Sequence, residues 1–228
     1  MNQKYCLTFT SMKIFITGAT GYMGEALIPI LLERGHQVTA FVRPGSEKKV
    51  PNGVRVVTGD PLNADSLKNG LGQCDTWVQL IGTPHPAPWK GKLFRLVDLP
   101  AVIASAEALP HSSIRHFIYL SVAHPAPIMR AFIAVRQEGE TRIAKTGVAA
   151  TFLRPWYVLG PGHYWAYALL PFYKLLEKIP VTRDAALRLG LVSREQMIQS
   201  LVWAIENPAI GIREMNVPEI RSATPAQR

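Results

Sequence analysis

Apolar positions along the chain follow two alternating periods. Short runs rich in β-branched and aromatic residues, at 13–17 (Lys-Ile-Phe-Ile-Thr), 37–42, 54–58, 76–81, 116–121 and 150–154, predict buried strands. Between them, apolar residues recur at helical spacing over 22–34, 65–71, 93–109 and 131–146. In the first of these helices Met23, Leu27, Ile30 and Leu31 share a face, and Gly35 is placed to end it. Pro29 predicts a kink there, and Pro100 a bend in the helix over 93–109. Strands that alternate with helices in this way imply an α/β fold: a parallel, doubly wound sheet of the Rossmann type, covered on both faces.

The pattern changes after Pro155. Residues 156–180 are aromatic and apolar, and Trp165, Leu169, Phe172, Leu176 and Ile179 fall on one helical stripe interrupted by Pro171. Such a stripe serves as a pocket wall, as a docking surface or, most commonly, as a helix packed on its own core. Residues 193–206 predict an amphipathic helix and 215–217 a last short strand, with a polar, frayed end over 221–228. Met12 directly precedes the first strand. The reading is therefore one domain over 12–228, in which 156–228 form a small cap, and a tail over 1–11.

Hydrophobic residues at 48% and charged residues at 18% point to a folded rather than a disordered chain. The net charge of +9 raises the question of nucleic acid, but the basic residues are scattered and the longest run is Lys48-Lys49, so no nucleic-acid partner is expected. A phosphate-rich ligand profits from the same charge. The two cysteines, Cys6 and Cys74, make no disulfide framework or metal-ligand spacing, so no metal is expected, and they fit a reducing cytoplasm. No stretch reaches the roughly 18 apolar residues of a membrane span, and 1–11 lack the apolar core of a signal peptide.

The chemistry concentrates first at Thr17-Gly18-Ala19-Thr20-Gly21-Tyr22-Met23-Gly24, which follows a strand and opens a helix. In that context Gly18 permits a tight turn, Gly21 lets backbone approach a phosphate, and Gly24 brings helix and strand close. The N–H groups at the helix start then face a pyrophosphate, so a dinucleotide cofactor is expected. At the end of the second strand, where an acid would bind the ribose hydroxyls of NAD(H), stands Arg43, with Lys48 and Lys49 nearby. A cation at that position suits a 2′-phosphate, so NADP(H) is expected over NAD(H).

These segments, together with Gly59-Asp60, residues 76–82, 117–121 and Phe152-Leu153-Arg154-Pro155-Trp156, resemble the atypical short-chain dehydrogenase/reductases, in particular NmrA-like and sugar-epimerase-like proteins. The resemblance covers about residues 13–208. It implies that Asp60, Pro61 and Leu62 sit by the adenine, that Ile81, Gly82 and Thr83 line the ribose and pyrophosphate, and that Ser121, Pro155, Trp156, Tyr157 and Val158 surround the nicotinamide. The family's Tyr-x-x-x-Lys pair, neighbours on a helix face, moves the substrate proton and holds the nicotinamide ribose. Here Phe132 falls at the tyrosine position, Arg136 at the lysine position and Glu140 at a following acid, while Val122 stands near the usual serine or threonine. Phe132 has no proton to give, and Arg136 can hold a ribose but is a poor proton relay.

Three readings follow. One is a reductase with substitute groups among Arg136, Ser121, His124, Tyr157 and Tyr164. Another is hydride transfer to a carbonyl, enone or quinone with water as the proton source. The third is a non-catalytic NADP(H)-binding sensor or assembly protein. The reductase readings lead by a small margin. The substrate is a small molecule, hydrophobic if the aromatic stripe faces the pocket, or there is none. A homo-oligomer or a protein partner is allowed.

Overall fold

The computed structural model describes residues 11–161, 171 and 175–222. Its centre is a seven-stranded sheet in the order β3-β2-β1-β4-β5-β6-β9. The strands are β1 (Lys13–Thr17), β2 (Gln37–Val42), β3 (Arg55–Thr58), β4 (Thr76–Gln79), β5 (His116–Leu120), β6 (Ala149–Leu153) and β9 (Ile212–Met215). Every pairing is parallel, with β1 between β2 and β4. The order reverses beside β1, so the crevice at the C-terminal ends of β1 and β4 is where such a sheet takes a ligand.

Alternation along the strands sorts the core onto two faces. Ile14, Ile16, Val78, Ile118 and Leu153 point to one side, where they meet Leu27, Ile28 and Leu31 of α1 (Gly24–Glu33) and Met197, Leu201 and Ile205 of α6 (Arg194–Glu206). Phe15, Trp77, Phe117 and Tyr119 point to the other, beneath α2 (Ala64–Leu71), α3 (Leu99–Ala108) and α4 (Arg130–Ala144). Edge-on contacts of 5.3 Å join Trp77 to both Phe15 and Phe117, so this layer is set by aromatic geometry as well as by burial.

Helix α1 ends as its sequence predicts. Gly35 takes φ +79°, its N–H bonds Leu32 O, and that of His36 bonds Leu31 O. Pro29 lies on the exposed side, so the carbonyl it leaves unpaired faces water and the helix runs through.

Several expectations need correction. The strand expected over 76–81 ends at Gln79, because the Gln79 side chain captures the Ile81 N–H at 3.1 Å and turns the chain off the sheet. The helix expected over 93–109 is helical without a break from Gly91 to Ala108, but it is not α throughout. Residues Phe94–Asp98 form a π turn, whose wider ring accommodates the N–H that Pro100 lacks, and α3 follows. The last strand is Ile212–Met215 rather than 215–217, and Val217–Ser222 form α7. Arg221 is not frayed: it donates to Leu191 O at 3.0 Å and pairs with Glu177 at 2.8 Å.

The C-terminal third also holds α5 (Pro180–Arg188) and a small parallel pair, β7 (Tyr157–Leu159) with β8 (Leu191–Ser193). The α6 helix, opened by a Ser193–Gln196 capping box, and β9 belong to the main layers and sheet. Of the aromatic stripe, Trp165, Leu169 and Phe172 lie outside the described residues, as do Tyr164 and 223–228.

Candidate functional site

The turn from β1 to α1 is shaped by its glycines. Gly18 has φ +81°, and a Cβ there would stand 2.8 Å from the Leu80 carbonyl carbon on β4's exit. A Cβ on Gly24 would stand 2.4 Å from Ala19 O, so the helix start can press onto the loop only with glycine. At Gly21 a Cβ would meet only Gly18 O, at 3.2 Å, which leaves the side towards the crevice open. That is the cradle a phosphate needs, with the N-terminus of α1 behind it.

A cavity of about 550 Å³ opens at this loop. Gly18, Gly21, Tyr22 and Met23 form its floor; Gly82, Thr83, Ser121, Arg136, Pro155, Trp156, Tyr157 and Val158 contribute walls, as does Phe132. Twelve residues expected at the cofactor thus meet around one space, although they come from five separate chain segments. Ala19, Thr20, Gly24 and Ile81, in the same chain segments, are not among its lining residues. Arg43, Asp60, Pro61 and Leu62 lie at the C-terminal ends of β2 and β3, away from the cavity. There the Asp60 carboxylate accepts the Leu62 N–H at 2.9 Å, shaping a turn, and Arg43 is exposed, its side chain making no hydrogen bond or ion pair among the described residues.

Arg136 is buried and already engaged. Its Nη2 donates to Asp98 Oδ1 at 2.7 Å and its Nη1 to Leu120 O at 2.9 Å, with the guanidinium 5.0 Å above the Phe132 ring. Burial works against its charge, but Tyr119 and Asp98 overcome that and raise its pKa. Asp98 also accepts the Thr83 N–H at 3.0 Å and the Thr83 hydroxyl at 2.5 Å. One buried carboxylate thereby ties the lysine-position residue to the turn after β4. Asp98 escapes sequence reasoning; its only signal is that it is the sole acid between Thr76 and Ala106.

Ser121 is buried on the cavity wall, and its Oγ has no hydrogen-bond partner among the described residues. An orphaned buried hydroxyl there fits a ligand that supplies the missing bond. His124 does not reach the cavity. It lies over α4, its Nδ1 3.3 Å from Gln137 and its Nε2 3.6 Å from Glu140. Glu140 in turn holds Arg154, which also binds Glu214 of β9. So Glu140 fastens α4 to the sheet edge.

A further residue missed in the sequence is Arg194, the first of α6. Its Nη2 donates to Tyr22 O at 2.6 Å, and its guanidinium lies 4.3 Å from the centre of the Tyr22 ring. The C-terminal region thus grips the phosphate loop with a cation. No metal-ligating cluster occurs among the described residues, and no helix among them is long and apolar enough to cross a membrane.

The comparisons with known proteins agree with this geometry. A family model described as NAD(P)H-binding matches residues 18–163. The ceramide reductase of Caulobacter vibrioides is 26% identical over 208 residues, covering 89% of this chain and 64% of that protein. The chain therefore spans less than two thirds of that relative's length. A 3-diazoavenalumate denitrifying reductase of Streptomyces is 25% identical, over 88% of this chain and 74% of the relative. Among solved structures, the Bordetella bronchiseptica enzyme WbmH in complex with NAD+ superposes with a TM-score of 0.67 at 17% identity, covering 91% of this chain and 76% of that one. UDP-glucuronic acid 4-epimerase from Bacillus cereus, in complex with NAD, gives 0.66 at 20% identity, with 90% and 77% covered. With a doubly wound sheet and a family model that matches residues 18–163, the chain belongs to the NAD(P)H-binding family.

Proposed function

We propose that this protein is an NADP(H)-dependent reductase of a small apolar carbonyl, enone or quinone, working without a protein acid at the usual tyrosine position. The observation that carries the reading is the cavity itself: a largely apolar space on the glycine loop whose wall holds the orphaned Ser121 hydroxyl. When bound, reduced nicotinamide supplies a hydride. The chain's own part is to hold the pyrophosphate on the Gly18–Gly24 turn and the 2′-phosphate on Arg43. Pro84, Pro86, Val122, Phe132, Pro155 and Trp156 exclude water from an apolar acceptor. Ser121 donates a hydrogen bond to the acceptor oxygen as charge develops on it. A conjugated acceptor then takes its proton from solvent, which suits a site with Phe132 in place of a proton donor. The reductase names of the Caulobacter and Streptomyces relatives support the same class.

Calorimetric titration with NADPH and NADH, followed by NADPH oxidation against a panel of enones, quinones and aldehydes, tests this. NADPH is expected to bind tightly and NADH weakly. Arg43→Glu should cost about 10- to 100-fold in NADPH affinity, the scale of a charge-assisted phosphate contact. Equal affinity for the two dinucleotides would remove the NADP(H) assignment, and absence of turnover with every acceptor would remove the reductase.

A second reading, NADP(H) binding without turnover, is favoured by the commitment of both Arg136 terminal nitrogens to Asp98 and Leu120 O, which leaves only its Nε without a partner among the described residues. Tight NADPH binding without oxidation is its signature.

A further inference from the structure

The chain between Thr83 and α3 is pinned inward by Phe94 and Asp98, both buried, and turns other residues out. Trp89 is 82% exposed, Leu93 44% and Leu96 56%, one on each of three successive turns, Pro88–Lys90, Gly91–Leu93 and Phe94–Asp98. This segment lies against the start of α4: Gly91 is close enough to Ala131 that a Cβ on it would stand 3.4 Å from the Ala131 Cβ. Just before that helix Ile128 is 57% exposed. Four large apolar side chains therefore face outward from two adjoining segments, more than scattered surface residues account for.

The charges around them have one sign. Lys92, Arg95 and Arg130 are exposed and make no hydrogen bond or ion pair among the described residues. Lys90 donates to Pro84 O at 2.8 Å and His85 O at 2.9 Å. The acid on the same segment, Asp98, is buried against Arg136 and Thr83, and residues 108–137 contain no Asp or Glu.

We propose that this face docks on an anionic lipid surface. Tryptophan and leucine at the headgroup boundary, ringed by lysine and arginine, are the composition of an interfacial contact, and the side chains of Lys92, Arg95 and Arg130 have no acidic partner among the described residues. A second copy fits the patch less well, because an isologous contact sets a cationic patch against itself. The docked segment is also cavity wall: Pro84, His85 and Pro86 line the space, and Lys90 holds that loop by its carbonyls. An apolar ligand leaving the bilayer would meet the cavity beside the contact. The docking stands apart from the reductase reading, since its test reads binding alone.

The full chain is sedimented with phosphatidylcholine vesicles and with vesicles of phosphatidylcholine mixed with phosphatidylglycerol. Binding is expected to the anionic vesicles only and to weaken as salt rises. Lys92→Glu with Arg95→Glu should weaken it by at least about fivefold per cation lost. Trp89→Ser should weaken it too, and a blue shift of tryptophan emission on binding should be absent from Trp89→Phe. Arg115→Glu with Lys145→Glu removes the same charge at the opposite end of the sheet and should leave binding near that of the parent. Failure to bind anionic vesicles overturns the proposal, as does equal loss in the two charge-reversal variants. A solution dimer that Trp89→Ser dissociates, with no vesicle binding, assigns the patch to a second copy instead.

Discussion

Arg136 Nη2 donates to Asp98 Oδ1 at 2.7 Å, and both side chains are buried. The pair joins α4 to the π turn before α3 and, through Thr83, to the cavity wall. A buried charge whose partner is removed costs about 3–5 kcal/mol, whereas removing both charges costs far less. Asp98→Ala should therefore lower the unfolding free energy by about that amount, and Asp98→Ala with Arg136→Met should recover much of it. Urea unfolding of the two single variants and the double variant measures this. Additive losses would mean that the two residues contribute independently.

The grip of Arg194 on Tyr22 leads to a prediction about binding rather than stability. Arg194 adds a cation and a fixed carbonyl to the loop on which a pyrophosphate would rest. Arg194→Ala should weaken NADPH about tenfold, the scale of one charge-assisted contact. Adenosine 2′-monophosphate lacks the pyrophosphate, so its affinity should hardly move. Titration of both ligands separates the cases; a parallel loss would mean that the variant disturbs the whole nucleotide site.

Two of the loop glycines should fail in different ways. In Gly24→Ala the new methyl meets backbone at Ala19, which cannot move cheaply, so a melting scan should show the variant destabilised by about 1–3 kcal/mol. In Gly21→Ala the new methyl meets only Gly18 O and points into the cradle. That variant should melt near the parent temperature and lose NADPH in calorimetry. Unimpaired NADPH binding by Gly21→Ala would show that no phosphate rests there.

What was legible in the sequence follows from the range of the forces involved. The strands and the glycine loop are local: β-branched runs, a turn that tolerates only glycine, and a helix end marked by Gly35 can each be read in a window of a few residues. The β9 edge strand was misplaced because Arg213 and Glu214 break its apolar pattern, and Glu214 binds Arg154 just past the end of the neighbouring strand. The π turn was invisible because it answers Pro100 through ring size rather than side-chain type. In the site, positions carried by motif met at one cavity, as Gly18, Ser121 and Trp156 do. Asp98, Arg194 and the engaged state of Arg136 depend on partners 38 and 172 residues away in sequence, and no local pattern announces such pairs. His124 looked suitable by chemistry alone; the chain directs it to Glu140 and away from the cavity.

His116 gives the stability a defined pH dependence. It is buried in β5, its Nε2 lies 2.9 Å from Thr151 Oγ1, and its Nδ1 has no partner among the described residues. Burial first, and the positive charge of Arg213 second, lower its pKa from 6.5 to about 4. The unfolded chain therefore takes up a proton near pH 6.5 that the folded chain refuses until about pH 4. Between those values the unfolded state binds more protons, so this contribution is complete above about pH 6.5 and is lost as the pH falls. The full loss is on the order of 3 kcal/mol. Urea unfolding at steps from pH 7 to pH 4 should show that decline in the parent and a shallower one in His116→Gln, which cannot ionise. Identical slopes would mean that the imidazole titrates alike in both states and that its burial is relieved by water.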